Sequence, residues 1–438
     1  MQIEEPTSSQ TDPLDDQDQR RPLSIGHILA YCIANLGNGM FWAFNNASMP
    51  LWLQGYTSNP TIISFLGGSH SFEGVVIQPL MGSLSDRLRT RWGKRRPIIL
   101  LSIPISCLFL LLTPLAAHLP PPARLAGIII CVVLFTLCFN VANDPYQALL
   151  ADSTSPSQRG RVVAFWFVMN AAGQVIVPLL HIPIVTKFGL VALIMLVTTA
   201  IACVFTTERS TVDDPVVYPR RRDQFRSALG GLKTLVQIRY YLLMGFFYGA
   251  GTDALVPNLT RFIKQITHCG DQDAQNAFTI LVLSMGLTVI PCGWLADRVG
   301  AKRMLVTGVL LVGVASLWGL RVATLHEVWA VMALAGVATA CQNAASYPLL
   351  TRLVPPHEVG LYTGLQTAAQ SVAGPIAIYV TGTLTQRDGY RVIFVVCSVC
   401  TVIAMAFLAR VNSHAAKQEI VNRDNQLAGA STGPPNPQ

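Results

Sequence analysis

Glu73 and His70 sit three residues apart inside a run of mostly apolar residues. If that run crosses a bilayer, each ionisable group costs roughly 2.5–3.5 kcal/mol on insertion scales, so it is kept there for a task. A spacing of three puts both side chains on one helix face. A carboxyl held away from water exchanges protons near neutral pH, and an imidazole titrates in the same range. The pair is therefore a candidate for proton uptake and release. The competing reading is an inter-helix hydrogen bond made by a protonated Glu73. Asp144, beside Pro145, and Asp253, beside Gly249, Gly251 and Thr252, are further acids in apolar surroundings. For Asp144 two readings stand: a partner for an arginine or a ligand, or a polar helix end near water. For Asp253 they are a second coupling or ligand group, or a residue facing an outer vestibule.

Amides form a second pattern. Asn35, Asn38, Trp42 and Asn45 recur at spacings of three, four and three, which is one helix face. Asn140, Asn143 and Gln147 follow on a later run, then Asn170 and Gln174, Gln342 and Asn343, and Gln366 and Gln370. In lipid such groups must face protein or water. Around a central path they suit a ligand with many hydroxyls, and the Trp42 ring can stack on a sugar face. The alternative is helix–helix adhesion at about 0.6 kcal/mol per hydrogen bond. Both uses are expected, with the strip from Asn35 to Asn45 the first candidate for ligand contact.

The elements that must position these groups are hydrophobic helices. Of 438 residues, 51% are hydrophobic and only 12% charged, with a mean hydropathy of +0.45. Soluble domains carry about 25% charge. Twelve runs approach the ~20 apolar residues a span needs: 24–48, 60–84, 97–117, 124–150, 161–183, 189–207, 238–258, 275–296, 303–321, 328–350, 360–382 and 391–410. With the N-terminus inside, inner segments hold 24 of the 31 Lys and Arg residues. The outer segments hold only Arg124, Lys187, Arg261, Lys264, Arg321, Arg387 and Arg391. That bias follows the positive-inside rule for two cytoplasmic termini. The expected fold is all-α and integral to the membrane, with twelve transmembrane helices in two six-helix bundles. The bundles cover 24–207 and 238–410, joined by a cytoplasmic linker at 208–237. Residues 1–23, acidic and polar, and 411–438 are expected to be disordered cytoplasmic tails.

Several function classes drop out. The net charge of +8 comes from short loops between apolar runs, so nucleic acid is not expected as a partner. The ten cysteines lie mostly inside apolar runs, and Cys397 and Cys400 stand without a second pair. Neither a disulfide framework nor a metal site is expected. No nucleophile–base set and no P-loop appears, so the chain is not read as an enzyme or an ATP-driven pump. No cofactor is expected.

The two halves echo each other. Gly82-Ser-Leu-Ser-Asp86-Arg87, leading to Gly93-Lys94-Arg95-Arg96, matches Gly293-Trp-Leu-Ala-Asp297-Arg298, leading to Gly300-Ala-Lys302-Arg303. Pro156 to Gly160 matches Pro356 to Gly360, and Ala172-Gly173 matches Ala373-Gly374. Parallel six-span repeats imply two bundles about an axis along the membrane normal, with a substrate path between them. In the loops, Gly82 permits close helix approach. Asp86 can cap a facing helix or pair with a loop arginine such as Arg87. Such a clasp would close the inner side once per cycle. Asp297 and Arg298 would act likewise in the second half, with Asp152 and Arg159 as a companion clasp. Lys94, Arg95 and Arg96 read as topology anchors.

The stretch Gly-x-x-x-Asp-Arg-x-x-x-Arg-x-Gly-Lys-Arg-Arg-Pro (82–97) resembles the loop 2–3 signature of the major facilitator superfamily. Its extended basic run, with Gln78-Pro79 before it and Asn143-Asp-Pro-Tyr-Gln-Ala-Leu-Leu-Ala-Asp152 beyond, is similar to the glycoside–pentoside–hexuronide and sucrose-type sugar:cation symporters. The resemblance implies a multi-pass protein of the plasma membrane, a functional monomer, driving sugar or glycoside uptake by alternating access. Melibiose-type members carry an acid two residues before the span-4 proline and two acids on span 2. Here those places hold Asn143 and the His70–Glu73 pair, which favours protons over sodium. Efflux of drugs or metabolites, or a non-transporting sensor, is the alternative.

Overall fold

The computed structural model describes residues 24–68, 77, 81, 84–85, 88–154, 158–206, 208, 232, 234–355 and 358–431. The first span, residues 25–53, is built from α1 (Ile25–Cys32), α2 (Ala34–Ala43), a π-helical turn (Phe44–Ser48) and α3 (Met49–Leu53). Then come α4 (Pro60–Gly67), α5 (Arg96–Ala116), α6 (Pro121–Ser153), α7 (Arg159–Leu179) and α8 (Ile184–Phe205). The second half comprises α9 (Val236–Thr267), α10 (Asp271–Val299), α11 (Ala301–Gly319), α12 (Leu325–Leu350), α13 (Val359–Asp388) and α14 (Val392–Arg410), with α15 (Ser413–Ser431) after it. Helices thus occur at all twelve expected positions, the second described only over its first turns. Among the described residues, eight helices are long and apolar enough to cross a membrane.

Local chemistry starts and stops these helices. Asn59 caps α4 by accepting from the backbone N–H of Thr61 (2.9 Å), and Pro60 follows at the position where its missing N–H costs nothing. Thr324 and Glu327 form a reciprocal capping box on α12. His268 takes a left-handed conformation to end α9, making the tight turn into α10. Several helices outrun their apolar stretches. α9 and α13 carry charged residues near their ends.

Each half has its own core. α5 packs on α6 and α8, and α2 on α7 and α8; in the other half α12 packs on α10 and α11, and α9 on α13 and α14. Between helices in lipid there is no hydrophobic drive, so close backbone approach supplies the adhesion. A Cβ on Gly39 would stand 2.1 Å from the Asn170 carbonyl oxygen, and one on Gly173 would stand 2.1 Å from that of Leu36. The first span and α7 therefore cross backbone to backbone.

The tail after 411, expected to be disordered, is helical in α15. Asn412 accepts from His414 N–H (2.9 Å) to start it, and Ala416 is buried. Arg423 then grips Glu358 through two bonds of 2.6 and 2.7 Å, and Glu419 accepts from Gln237 N–H (3.1 Å). A paired guanidinium–carboxylate contact and a buried alanine hold a segment whose composition alone would leave it loose. Residues 1–23, most of 208–237 and the last seven positions lie outside the described residues.

Candidate functional site

A cavity of about 550 Å³ lies between the two halves. From the first half it is lined by Trp42, Asn46, Asn140 and Asn143. From the second come Tyr248, Thr252 and Asp253 of α9, Gln342 and Asn343 of α12, and Gln370 and Ser371 of α13. Phe278, Leu281, Val331, Met332 and Phe394 give it an apolar wall. Trp42 is set by edge-on packing against Phe41 (5.7 Å) and Phe139 (5.4 Å). Asp253 is the only carboxylate among the described residues lining the cavity, and none of those residues is cationic.

The π turn decides which amides of the first span reach this space. Met49 N–H bonds to Phe44 O, five residues back, so one extra residue enters the turn. Asn45 is rotated away and donates to the Gly67 carbonyl (3.0 Å), tying the first span to α4. Asn46, which a regular 3.6-residue strip leaves out, lines the cavity, and its side-chain oxygen has no hydrogen-bond partner. Asn38 donates to Asn35 (3.3 Å), both buried, and Asn38 borders a small gap beside Asn143.

The other candidates divide in the same way. Asn143, Gln342, Asn343 and Gln370 line the cavity. Gln174 donates to Asn170 (2.7 Å) on α7, away from it. Gln366 hydrogen-bonds the Tyr241 hydroxyl, and Gln147 is exposed. Asp144 is half-buried on α6 and is not part of the cavity wall. Asp297 and Arg298 are exposed at the end of α10, beside Trp294. His70, Glu73, Gly82, Asp86 and Arg87, and the side chains of Asp152 and Arg159, lie outside what is described.

The loop after the second span shows a feature that its basic charges conceal. Gly93 has φ +89°, and the backbone N–H groups of Lys94 (3.0 Å), Arg95 (3.1 Å) and Arg96 (3.2 Å) converge on the Glu208 carboxylate. This is an anion nest at the N-terminus of α5, filled by an acid from the end of α8. Arg95 also donates to Ser85 (3.0 Å). A Cβ on Gly93 would stand 2.2 Å from Glu208 Cδ. Gly93→Ala is expected to cost about 2 kcal/mol, from the left-handed backbone and the displaced carboxylate together. Thermal unfolding in detergent checks this. Adding Glu208→Gln to Gly93→Ala should cost little more, because the alanine has already emptied the nest.

At the opposite end the halves meet directly. Ser48 and Lys187 both donate to Gln275 (2.7 Å each), and Ser64 donates to Asn258 (2.7 Å). Gln386 donates to Asn59 and to Thr61 (3.0 Å), and Gln272 donates to the Pro178 carbonyl. These contacts lie at the end poor in Lys and Arg.

The profile of the Major Facilitator Superfamily matches residues 31–241 and 241–432. The chain belongs to that superfamily. It is similar to the inner membrane symporter YicJ of Escherichia coli, 32% identical over 168 residues, covering 34% of this chain and 35% of that protein. It is also similar to the isoprimeverose transporter of Lactiplantibacillus pentosus, 26% identical over 260 residues, covering 55% of this chain and 53% of that one. The chain thus matches between about a third and about half the length of these curated relatives. Its fold is shared with a D-xylose–proton symporter at a TM-score of 0.72 and 13% identity, over 88% of this chain and 97% of that one. Membership of this superfamily makes the chain a multi-pass integral membrane protein, and the superfamily and these relatives are transporters rather than enzymes.

Proposed function

We propose that the chain is a secondary active transporter of the plasma membrane that takes up a sugar or glycoside together with protons by alternating access. The cavity carries this reading. It lies where two six-span repeats meet, which is where such folds place their substrate. At about 550 Å³ it falls within the roughly 300–1,000 Å³ of small-molecule sites. Among the described residues its polar wall is made of amides, hydroxyls, an aromatic ring and one acid, and bears no cation. That chemistry suits an uncharged polyol with many hydroxyls. The similarity to a symporter and to an isoprimeverose transporter points the same way.

Proton coupling is assigned to Glu73 with His70, and to Asp253 in the cavity, with Asp144 as a further candidate. Sodium is the less supported ion. Substrate contact is assigned to Trp42, Asn143, Gln342, Asn343 and Gln370, with Asn46 added by the π turn. The halves joined at the outer end, with Asp297 and Arg298 exposed at the inner one, support an inward-facing state. The inner clasp around Gly82, Asp86 and Arg87, with Asp152 and Arg159, closes in the other half of the cycle. The working unit is a monomer.

The test is uptake of labelled mono- and disaccharides by proteoliposomes, with and without an inward proton gradient. Gradient-stimulated accumulation of a sugar is the expected result. If no sugar accumulates, the cavity serves efflux of a non-sugar metabolite.

A further inference from the structure

We propose that Lys187 and Arg261 are gating residues: cations buried at the outer seam against neutral amides, whose dehydration makes outer closure costly and so keeps it reversible. The proposal rests on the alternating-access reading above.

Lys187, on the first turn of α8, has no exposed surface. Its ammonium donates to Gln275 Oε1 of α10, in the other half, at 2.7 Å. The hydroxyl of Ser48, in the π turn, donates to the same oxygen at 2.7 Å. The amide nitrogen of Gln275 is committed to the Asp271 carbonyl at 3.1 Å. A related arrangement sits on α9, where cation and amide share one helix and only the serine crosses the seam. Arg261 is 2% exposed and donates to Asn258 Oδ1 at 3.4 Å. Ser64 of α4 donates to that same oxygen at 2.7 Å. The guanidinium lies 4.8 Å from the centroid of the Tyr390 ring, and its Nε has no hydrogen-bond partner. In both places a serine of the first half and a buried cation share one amide oxygen of the second half.

Among the described residues neither cation makes an ion pair. Asp271, one turn before Gln275, is engaged by Lys264 at 2.5 Å. An amide oxygen orients a cation but does not neutralise it, and a buried charge without a counter-ion is heavily penalised. A seam meant to stay shut would place a carboxylate opposite Lys187. One that must part in every cycle gains from an acceptor that leaves the charge uncompensated. When the halves separate, water reaches both cations and the penalty is relieved. The closed outer end is therefore loaded toward opening.

The sign of one substitution separates this from a bracing role. Hydrogen–deuterium exchange of the full-length protein in nanodiscs reports opening at the seam, in peptides spanning 48–68 and 255–276. Lys187→Met removes the penalty, so seam exchange should slow by roughly tenfold relative to wild type. Gln275→Glu supplies a counter-ion and should slow it likewise. Combining the two leaves an unpaired carboxylate and should speed it. If Lys187→Met speeds seam exchange or leaves it unchanged, the lysine is a brace and the proposal fails. If Lys187→Met does not fold, Gln275→Glu decides alone: slowing supports the proposal, and anything else overturns it. Peptides at the inner ends, 292–305 and 349–362, test the underlying reading separately. Slower exchange at the seam without faster exchange there supports the loaded seam and removes alternating access. Reciprocal changes of the wrong sign remove only the loaded seam.

Discussion

Gly39→Ala is expected to prevent accumulation of folded protein. The new methyl would stand 2.1 Å from the Asn170 carbonyl oxygen and 2.9 Å from its carbonyl carbon. These are backbone atoms of α7, so no rotamer change relieves the contact. Ordinary overpacking costs about 1–3 kcal/mol because side chains can shift. Here two helices must separate, so the cost should be at the top of that range or above it. Separation would also forfeit the neighbouring contact at Gly173, where the fit is equally close. In a bilayer no hydrophobic gain compensates, since lipid chains are as apolar as the side chains they would replace. The measurement is the monodisperse fraction after detergent extraction. A near-wild-type yield would mean that the crossing is looser than these distances. Gly286 is a matched control: it has open space around its Cβ position, and Gly286→Ala should be tolerated.

Much of this architecture is legible in the sequence, because apolar length and loop charge are local properties. Helices occur where the apolar runs place them. What the sequence conceals depends on backbone detail or on partners far along the chain. The strip from Asn35 to Asn45 assumes an unbroken 3.6-residue period, and the π turn interrupts it. Pro50 was the available signal: it has no N–H to offer the carbonyl four residues back, which loosens the ladder where the turn widens. Glu208 was hidden for a different reason. A lone acid at the end of an apolar run says nothing until Gly93 is seen to fold a nest around it. Lys187 and Arg261 fall in segments read as outer, yet their burial arises only when the halves close on each other. The α15 helix depends on Arg423 meeting Glu358 across 65 positions of chain, beyond any local pattern.

These hidden features share a physical character. Glu208 in its nest and Arg423 on Glu358 are charges matched by partners within one half, and they hold that half together. Lys187 is met by an amide and Arg261 by an amide and the Tyr390 ring, neither with a counter-ion among the described residues, and both lie where the two halves touch. Strong electrostatics inside each bundle and weak compensation between bundles is the distribution expected of two rigid bodies that rock about a fixed cavity. It also fits a cavity wall in which Asp253 is the one carboxylate among the described residues. A second charge there would bind the halves to one another as firmly as each is bound within itself.

Asp253 gives the second large expected effect. Asp253→Asn should abolish uphill accumulation in a proton gradient while leaving exchange of sugar across the membrane within a few-fold of wild type. The asparagine keeps the shape and an acceptor oxygen in the cavity wall but cannot carry a proton. If Asp253 instead serves only to hold a substrate hydroxyl, the loss is that of one charged hydrogen bond, about 1.5–3 kcal/mol. Affinity would then fall roughly 10- to 100-fold in uptake and exchange alike, and a saturating sugar concentration would restore accumulation. The two roles separate cleanly when both assays are run at saturating sugar. Accumulation lost with exchange retained assigns the proton to Asp253. Accumulation restored assigns it elsewhere, with Glu73 and His70 the next pair to alter. The same logic fixes the order of experiments. Glu73→Gln is informative about coupling only once Asp253 has been tested, because the proposed coupling can run through either carboxyl.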